Sequence, residues 1–141
     1  MKSFIFKIVM ALAILLAFQA TAQAQKIPKC VKVAKYNRPN WLSVKPSALA
    51  RFHRNYGEQA VFTNMKLVKS ELAYYLIAEE QGGPRIFAFE LEQKGKRLFL
   101  NRDYPVHTCD QGDLVLGTFL QMDGKIQGCR KGTHRIMKRD D

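Results

Sequence analysis

Acidic side chains are missing from two long stretches of this 141-residue chain, residues 26–38 and residues 125–139. The first stretch carries Lys26, Lys29, Lys32, Lys35 and Arg38; the second carries Lys125, Arg130, Lys131, Arg135, Lys138 and Arg139. Positive and negative residues balance between them, so the formal net charge of +11 belongs to the two ends of the chain. Cysteine is scarce, at 3 residues, and no C-x2-C pair occurs. That excludes a dense disulfide scaffold and a zinc ribbon. G-x-S-x-G, P-loop, H-E-x-x-H and Gly-rich dinucleotide signatures are absent as well, which removes the usual sequence marks of esterases, nucleotide-binding enzymes and zinc proteases. No repeat or low-complexity tract is present, so solenoid and collagen-like architectures are excluded.

Long apolar runs are confined to the beginning. Residues 1–24 place Lys2 and Lys7 before the run from Ile8 to Phe18, and follow it with the small-residue segment Ala20-Thr21-Ala22-Gln23-Ala24. This is the layout of a secretory signal peptide ending in an A-x-A cleavage site, and the run is shorter than the ~20 residues that a membrane span needs. The expected product is residues 25–141, a single α+β domain that is secreted or periplasmic, with no transmembrane segment and long enough to bury its own core.

Within that domain Leu49, Phe52, His53 and Tyr56 fall at helical spacing, while Arg51, Arg54 and Asn55 point away. The pattern predicts one amphipathic helix over about residues 47–56, started by Pro46 with Ser43 or Ser47 and stopped by Gly57. Residues 60–69, 71–80, 85–93 and 97–102 are rich in aromatic and β-branched side chains and are separated by turn-like Gln81-Gly82-Gly83-Pro84 and Lys94-Gly95-Lys96. Connections this short join antiparallel neighbours. Phe87, Phe89 and Leu91 share one face; Leu72, Tyr74, Leu76 and Ala78 occupy the face opposite Tyr75 and Ile77. A strand apolar on both faces has to be covered on both sides, by the helix on one and by a terminal segment or a partner on the other. Residues 114–122 and 125–129 flank Asp123-Gly124, a pair suited to a type I′ turn. The resulting fold class is α+β: an N-terminal amphipathic helix packed on a four- to five-stranded antiparallel meander, followed by a small C-terminal hairpin.

Three cysteines in an oxidising compartment allow one intramolecular bridge and leave one thiol over. Cys109–Cys129 is the favoured pair, because it ties the loop over residues 105–112 to the hairpin; Cys30–Cys129 competes. The remaining thiol could link two chains into a homodimer. His107, Cys109, Cys129 and His134 also make up a tetrahedral zinc ligand set by residue type, but H-x-C is not a usual zinc pair and oxidation would consume both thiolates, so no metal or cofactor is expected. His107 and His134 could serve general acid/base catalysis in a small hydrolase or nuclease, whereas His53 on the apolar helix face reads as a packed core residue.

One helix followed by an antiparallel meander resembles the cystatin-like architecture, although Gln59-Ala60-Val61-Phe62-Thr63 lacks the glycine of the Q-x-V-x-G inhibitory signature. Cys109-Asp110-Gln111-Gly112, Phe119 and Asp123-Gly124-Lys125-Ile126-Gln127-Gly128-Cys129 are similar to the end of small exported Cys-tailed proteins of the Bacteroidota, which carries no activity with it. The charge distribution points to binding rather than catalysis. The basic ends, Lys26, Lys29, Lys32, Lys35 and Arg38 with Arg130, Lys131, Arg135, Lys138 and Arg139, would attract an anionic protein, lipid or polysaccharide, with Tyr36, Trp41 and Tyr104 as loop aromatics nearby. Nucleic acid suits them less, since base-stacking aromatics are sparse in both stretches. If the ends meet in the fold, they form one patch.

Overall fold

The computed structural model describes residues 27–38 and 40–140; the expected signal peptide over residues 1–24 and Lys26 lie outside the described residues. The chain runs through β1 (Cys30–Lys35), helix α1 (Pro46–His53) continued by a 3₁₀ turn (Arg54–Tyr56), then β2 (Phe62–Lys69), β3 (Tyr74–Glu80), β4 (Ile86–Lys94), β5 (Arg97–Asn101), β6 (Val106–Cys109), β7 (Phe119–Met122), β8 (Lys125–Cys129) and β9 (His134–Met137). The helix is therefore mid-chain rather than N-terminal. The sheet has 7 strands rather than a four- to five-stranded meander.

The four strands legible from alternation run side by side as β2-β3-β4-β5, with β2 at one edge of the sheet. The additional strands come from β4, which is long enough to take two partners on one edge. Its second half pairs with β5 (Leu91↔Leu100, Lys94↔Arg97) and its first half with β6 (Phe89↔Val106, Ile86↔Cys109). The segment read as a loop over residues 105–112 is thus partly a strand. Beyond them, β1 continues the sheet outside β5 and β9 outside β6. Both are edge strands rich in Lys and Arg, a composition that discourages edge-to-edge association.

The helix starts at Pro46, whose fixed φ suits the first turn, with Lys45 before it and no side-chain cap; the Ser43 hydroxyl instead donates to Val33 O at 3.0 Å. It stops at Gly57, which takes a left-handed φ of 75°. Leu49, Phe52, His53 and Tyr56 turn inward onto Leu76, Ala78, Phe87, Phe89 and Leu98. Asn55, expected to point away, is buried. Its Nδ2 donates to Pro28 O and Phe52 O, both at 2.8 Å, and its backbone carbonyl accepts from Asp140 N–H at 2.8 Å. The side-chain amide therefore ties the N-terminal segment to the helix end, while the backbone carbonyl of the same residue holds the C-terminal segment. Asn55→Ala strips the Pro28 and Phe52 carbonyls of their donor and should cost about 1–2 kcal/mol in urea unfolding. An unchanged midpoint would show that water replaces the amide without loss.

The other face of β3 and β4 is covered by the terminal segment, as one of the two expected covers. Phe119 and Ile126 of the β7–β8 hairpin pack on Tyr75, Ile77, Ile86 and Ala88. The hairpin turns at Asp123 (φ 53°) and Gly124 (φ 77°), the two positive values a type I′ turn demands. Leu72, expected on a strand face, instead sits in the β2–β3 turn and is 68% exposed, because β3 begins only at Tyr74.

Candidate functional site

The charged residues are placed by strand register. Residues paired across neighbouring strands project to the same side of a sheet. Lys35 is opposite Arg97, and Arg97 is opposite Lys94, so three cations stand in one row across β1, β5 and β4, at strand spacings of ~5 Å. All three are exposed, as are Lys32 on the same face and Lys96 in the connecting turn. The chain leaves β1 through Tyr36, whose N–H donates to Lys96 O at 3.1 Å, and Arg38 N–H closes the following turn onto Lys35 O at 3.0 Å. Two acids share this face and both are engaged. Glu90 pairs with Lys125. Glu92 lies 3.2 Å from Lys94 and accepts from Asn101 Nδ2 at 3.1 Å.

This places six cations at one end of the sheet: Lys32, Lys35, Arg38, Lys94, Lys96 and Arg97. Half of them were missed by reading charge runs, because Lys94, Lys96 and Arg97 lie in the charge-balanced middle of the sequence and join the patch only through β1–β5 pairing. Like charges directly opposite each other in a sheet are destabilising. Within this row Glu92 already offsets Lys94 at 3.2 Å, so the repulsion falls on Lys35 and Arg97, which stand directly opposite each other.

The two basic ends converge only in part. Lys29 accepts a backbone hydrogen bond from Arg102 (3.1 Å), and Arg102, Lys138 and Arg139 line a cleft of about 410 Å³ with Asp103, Tyr104 and Pro105. Arg139 pairs with Asp103 at 2.8 Å. From this junction the basic stretches run in opposite directions. Lys32, Lys35 and Arg38 follow β1 toward the Lys94–Arg97 end, while Arg135 lies on β9 opposite Thr108. Arg130 and Lys131 lie beyond β8, in a hollow shared with Gln111, Asp113 and Thr118. Since β9 starts opposite Cys109, itself opposite Ile86, the far end is ~25 Å along β4 from Lys94.

His107 and His134 do meet. His107 Nδ1 and His134 Nε2 are 3.0 Å apart, with ring planes 9° from parallel and centroids 5.3 Å apart. That centroid distance is the N···N distance plus two ring radii, so the imidazoles lie end to end, one nitrogen donating and the other accepting. His107 is buried. Burial first, and the neighbouring imidazole second, push its pKa down to about 4. His107 is thus held neutral, with its Nδ1 turned to His134 rather than to solvent. Cys109 and Cys129 are bonded to each other, with Cα atoms 5.8 Å apart, so their sulfurs are not available for a zinc set. No group of three His, Cys, Asp or Glu among the described residues could hold a metal. Cys30 is the free thiol and is exposed on the face of Lys32 and Lys35.

His53 is a core residue, ringed by Tyr56, Phe62, Phe87 and Phe89. Its Nε2 lies 3.1 Å from Glu58, which Arg85 also binds while bridging to Glu80. Burial lowers the His53 pKa. The chain matches no protein-family model, no curated protein and no solved structure at a significant level.

Proposed function

We propose that this is an exported binding protein that holds an anionic partner on the Lys35–Arg97–Lys94 row and the cations around it. The row is the observation that carries the reading. Lys35 and Arg97, directly opposite each other beside the Glu92-paired Lys94, lose stability by their mutual repulsion, and a bound anion turns that loss into affinity. The alternative use of surface lysines, to keep a protein soluble and its sheet edges apart, needs no such alignment. The hydrolase reading of His107 and His134 is weaker, because the two imidazoles satisfy each other and His107 lies buried.

Heparin retention across a salt series tests the proposal. Retention should fall steadily with ionic strength, as for any contact dominated by exposed charges. K35E/R97E should elute at clearly lower salt, while Arg97→Glu alone should raise folding stability by about 0.2–1 kcal/mol, since it replaces a like-charge row with opposite-charge pairs. Weaker binding combined with greater stability is the signature of a functional row. Retention unaffected by K35E/R97E would show that these residues serve only the surface.

A further inference from the structure

The end of the sheet that holds the cations also holds the most exposed large apolar side chain among the described residues, Trp41, at 75% exposure. Its loop leaves β1 at Lys35, is tied to the β4–β5 turn by the Tyr36–Lys96 hydrogen bond, and returns to β1 where Ser43 N donates to Val33 O at 2.7 Å. Trp41 N–H donates to Arg38 O at 3.1 Å and Trp41 lines a hollow with Asn37, Arg38 and Asn40, so it stands beside Arg38 in the loop that continues from the cation row. An indole left in water forfeits the burial of one of the largest apolar surfaces a side chain has. Resting on the anionic-partner reading above, we infer that this end docks on an anionic lipid bilayer, with Trp41 seated at headgroup level and Lys32, Lys35, Arg38, Lys94, Lys96 and Arg97 over the phosphates.

Two features favour a bilayer over a soluble polyanion. Tryptophan has an apolar body and one N–H donor, and it partitions to the level where headgroups meet acyl chains, whereas a sulfated chain offers it no apolar layer. Lys32, Lys35, Lys94 and Arg97 share one exposed sheet face at the strand end, with Arg38 and Lys96 in the adjoining loop and turn, and each is attracted by the surface potential of an anionic leaflet within a Debye length. Single-stranded nucleic acid stacks successive bases on several open aromatic faces along the cations, and the cation row offers no such series. The aromatic there, Phe99, lies under the Lys94 ammonium, 5.6 Å from its ring centroid.

Trp41 is the single tryptophan of the chain, so intrinsic fluorescence reports this site alone. The full chain is mixed with vesicles of phosphatidylcholine, with and without phosphatidylglycerol. Sedimentation with the anionic vesicles only, reversed by salt, is expected, together with a blue shift of emission and protection from acrylamide. Trp41→Ser should weaken partitioning about tenfold, the scale of one large apolar side chain leaving water, and K35E/R97E should abolish it. Attachment to phosphatidylcholine alone, or attachment indifferent to K35E/R97E, would place the contact elsewhere, as in the apolar run of residues 8–18, and overturn the inference. So would salt-reversible heparin retention without vesicle binding or an emission shift, which leaves the anionic-partner reading standing. Failure to bind both heparin and anionic vesicles removes the two together.

Discussion

Replacing Cys109 and Cys129 together by serine should lower folding stability by about 3 kcal/mol, the loop-entropy value for a bridge closing a loop of this size; the two residues are 20 apart in sequence. The effect should fall unevenly on the structure. A two-stranded hairpin is marginal on its own, and the other ties of β7–β8 to the sheet include Phe119 and Ile126 packed against it, the exposed Lys125–Glu90 ion pair, Ile126 N–H donating to the Tyr75 hydroxyl at 3.4 Å, and the Ser70 hydroxyl donating to Gly124 O at 2.6 Å. Without the bridge the hairpin opens before the helix-side core does. Amide exchange in residues 119–129 should accelerate well beyond that of β3 and β4. Urea unfolding with and without reductant measures the total, and coincident midpoints would show that packing alone fixes the hairpin. The same experiment tests the assignment of the third thiol, since exposed Cys30 should label without denaturant and remain the single reactive cysteine in the oxidised protein.

The sequence is most readable where side-chain chemistry and local pairing coincide. Phe87, Phe89 and Leu91 alternate with Ala88 and Glu90, and the partners of β4 on one side are its neighbours in sequence, so the middle strands and the Asp123-Gly124 turn are predictable. Readability fails where a strand owes its existence to a distant partner. Lys32-Val33-Ala34-Lys35 looks like a charged tail because the bulge at Val33 breaks the alternation, burying Val33 and Ala34 together. His134-Arg135-Ile136-Met137 has no buried residue of its own and is a strand only because β6 offers an edge. Asn55 reads as solvent-facing by helical spacing, and what draws it inward is Pro28, which sequence spacing does not place there. The candidate site follows the same rule. Its N-terminal half stands out as a basic run, but Lys94, Lys96 and Arg97 look like an ordinary polar turn until β1 pairs with β5.

Stability should also fall on acidification, beginning well above the carboxylate range. His107 is neutral in the fold with a pKa near 4, while in the unfolded chain it titrates at about 6.5. Between those values the unfolded state binds a proton that the native state refuses, so unfolding becomes easier as pH falls. The loss starts near pH 6.5 and levels off below about pH 4, where the native ring protonates too. A shift of this size corresponds to about 3 kcal/mol, reduced to about 2 by the solvent that reaches the pair. His53 contributes with the same sign, since burial lowers its pKa as well. Glu58 adds to the loss at lower pH: burial raises its carboxyl, but the hydrogen bonds from Arg85 and His53 outweigh this and keep the pKa below normal, so its stabilisation disappears as pH falls through that lowered value. His107→Gln keeps a hydrogen-bonding side chain opposite His134 and removes the titration. It should flatten most of the slope between pH 6.5 and 4, leaving the smaller part due to His53. Urea midpoints measured at intervals across that range decide the matter, and a slope unchanged by His107→Gln would assign the acid sensitivity to His53 and the carboxylates instead.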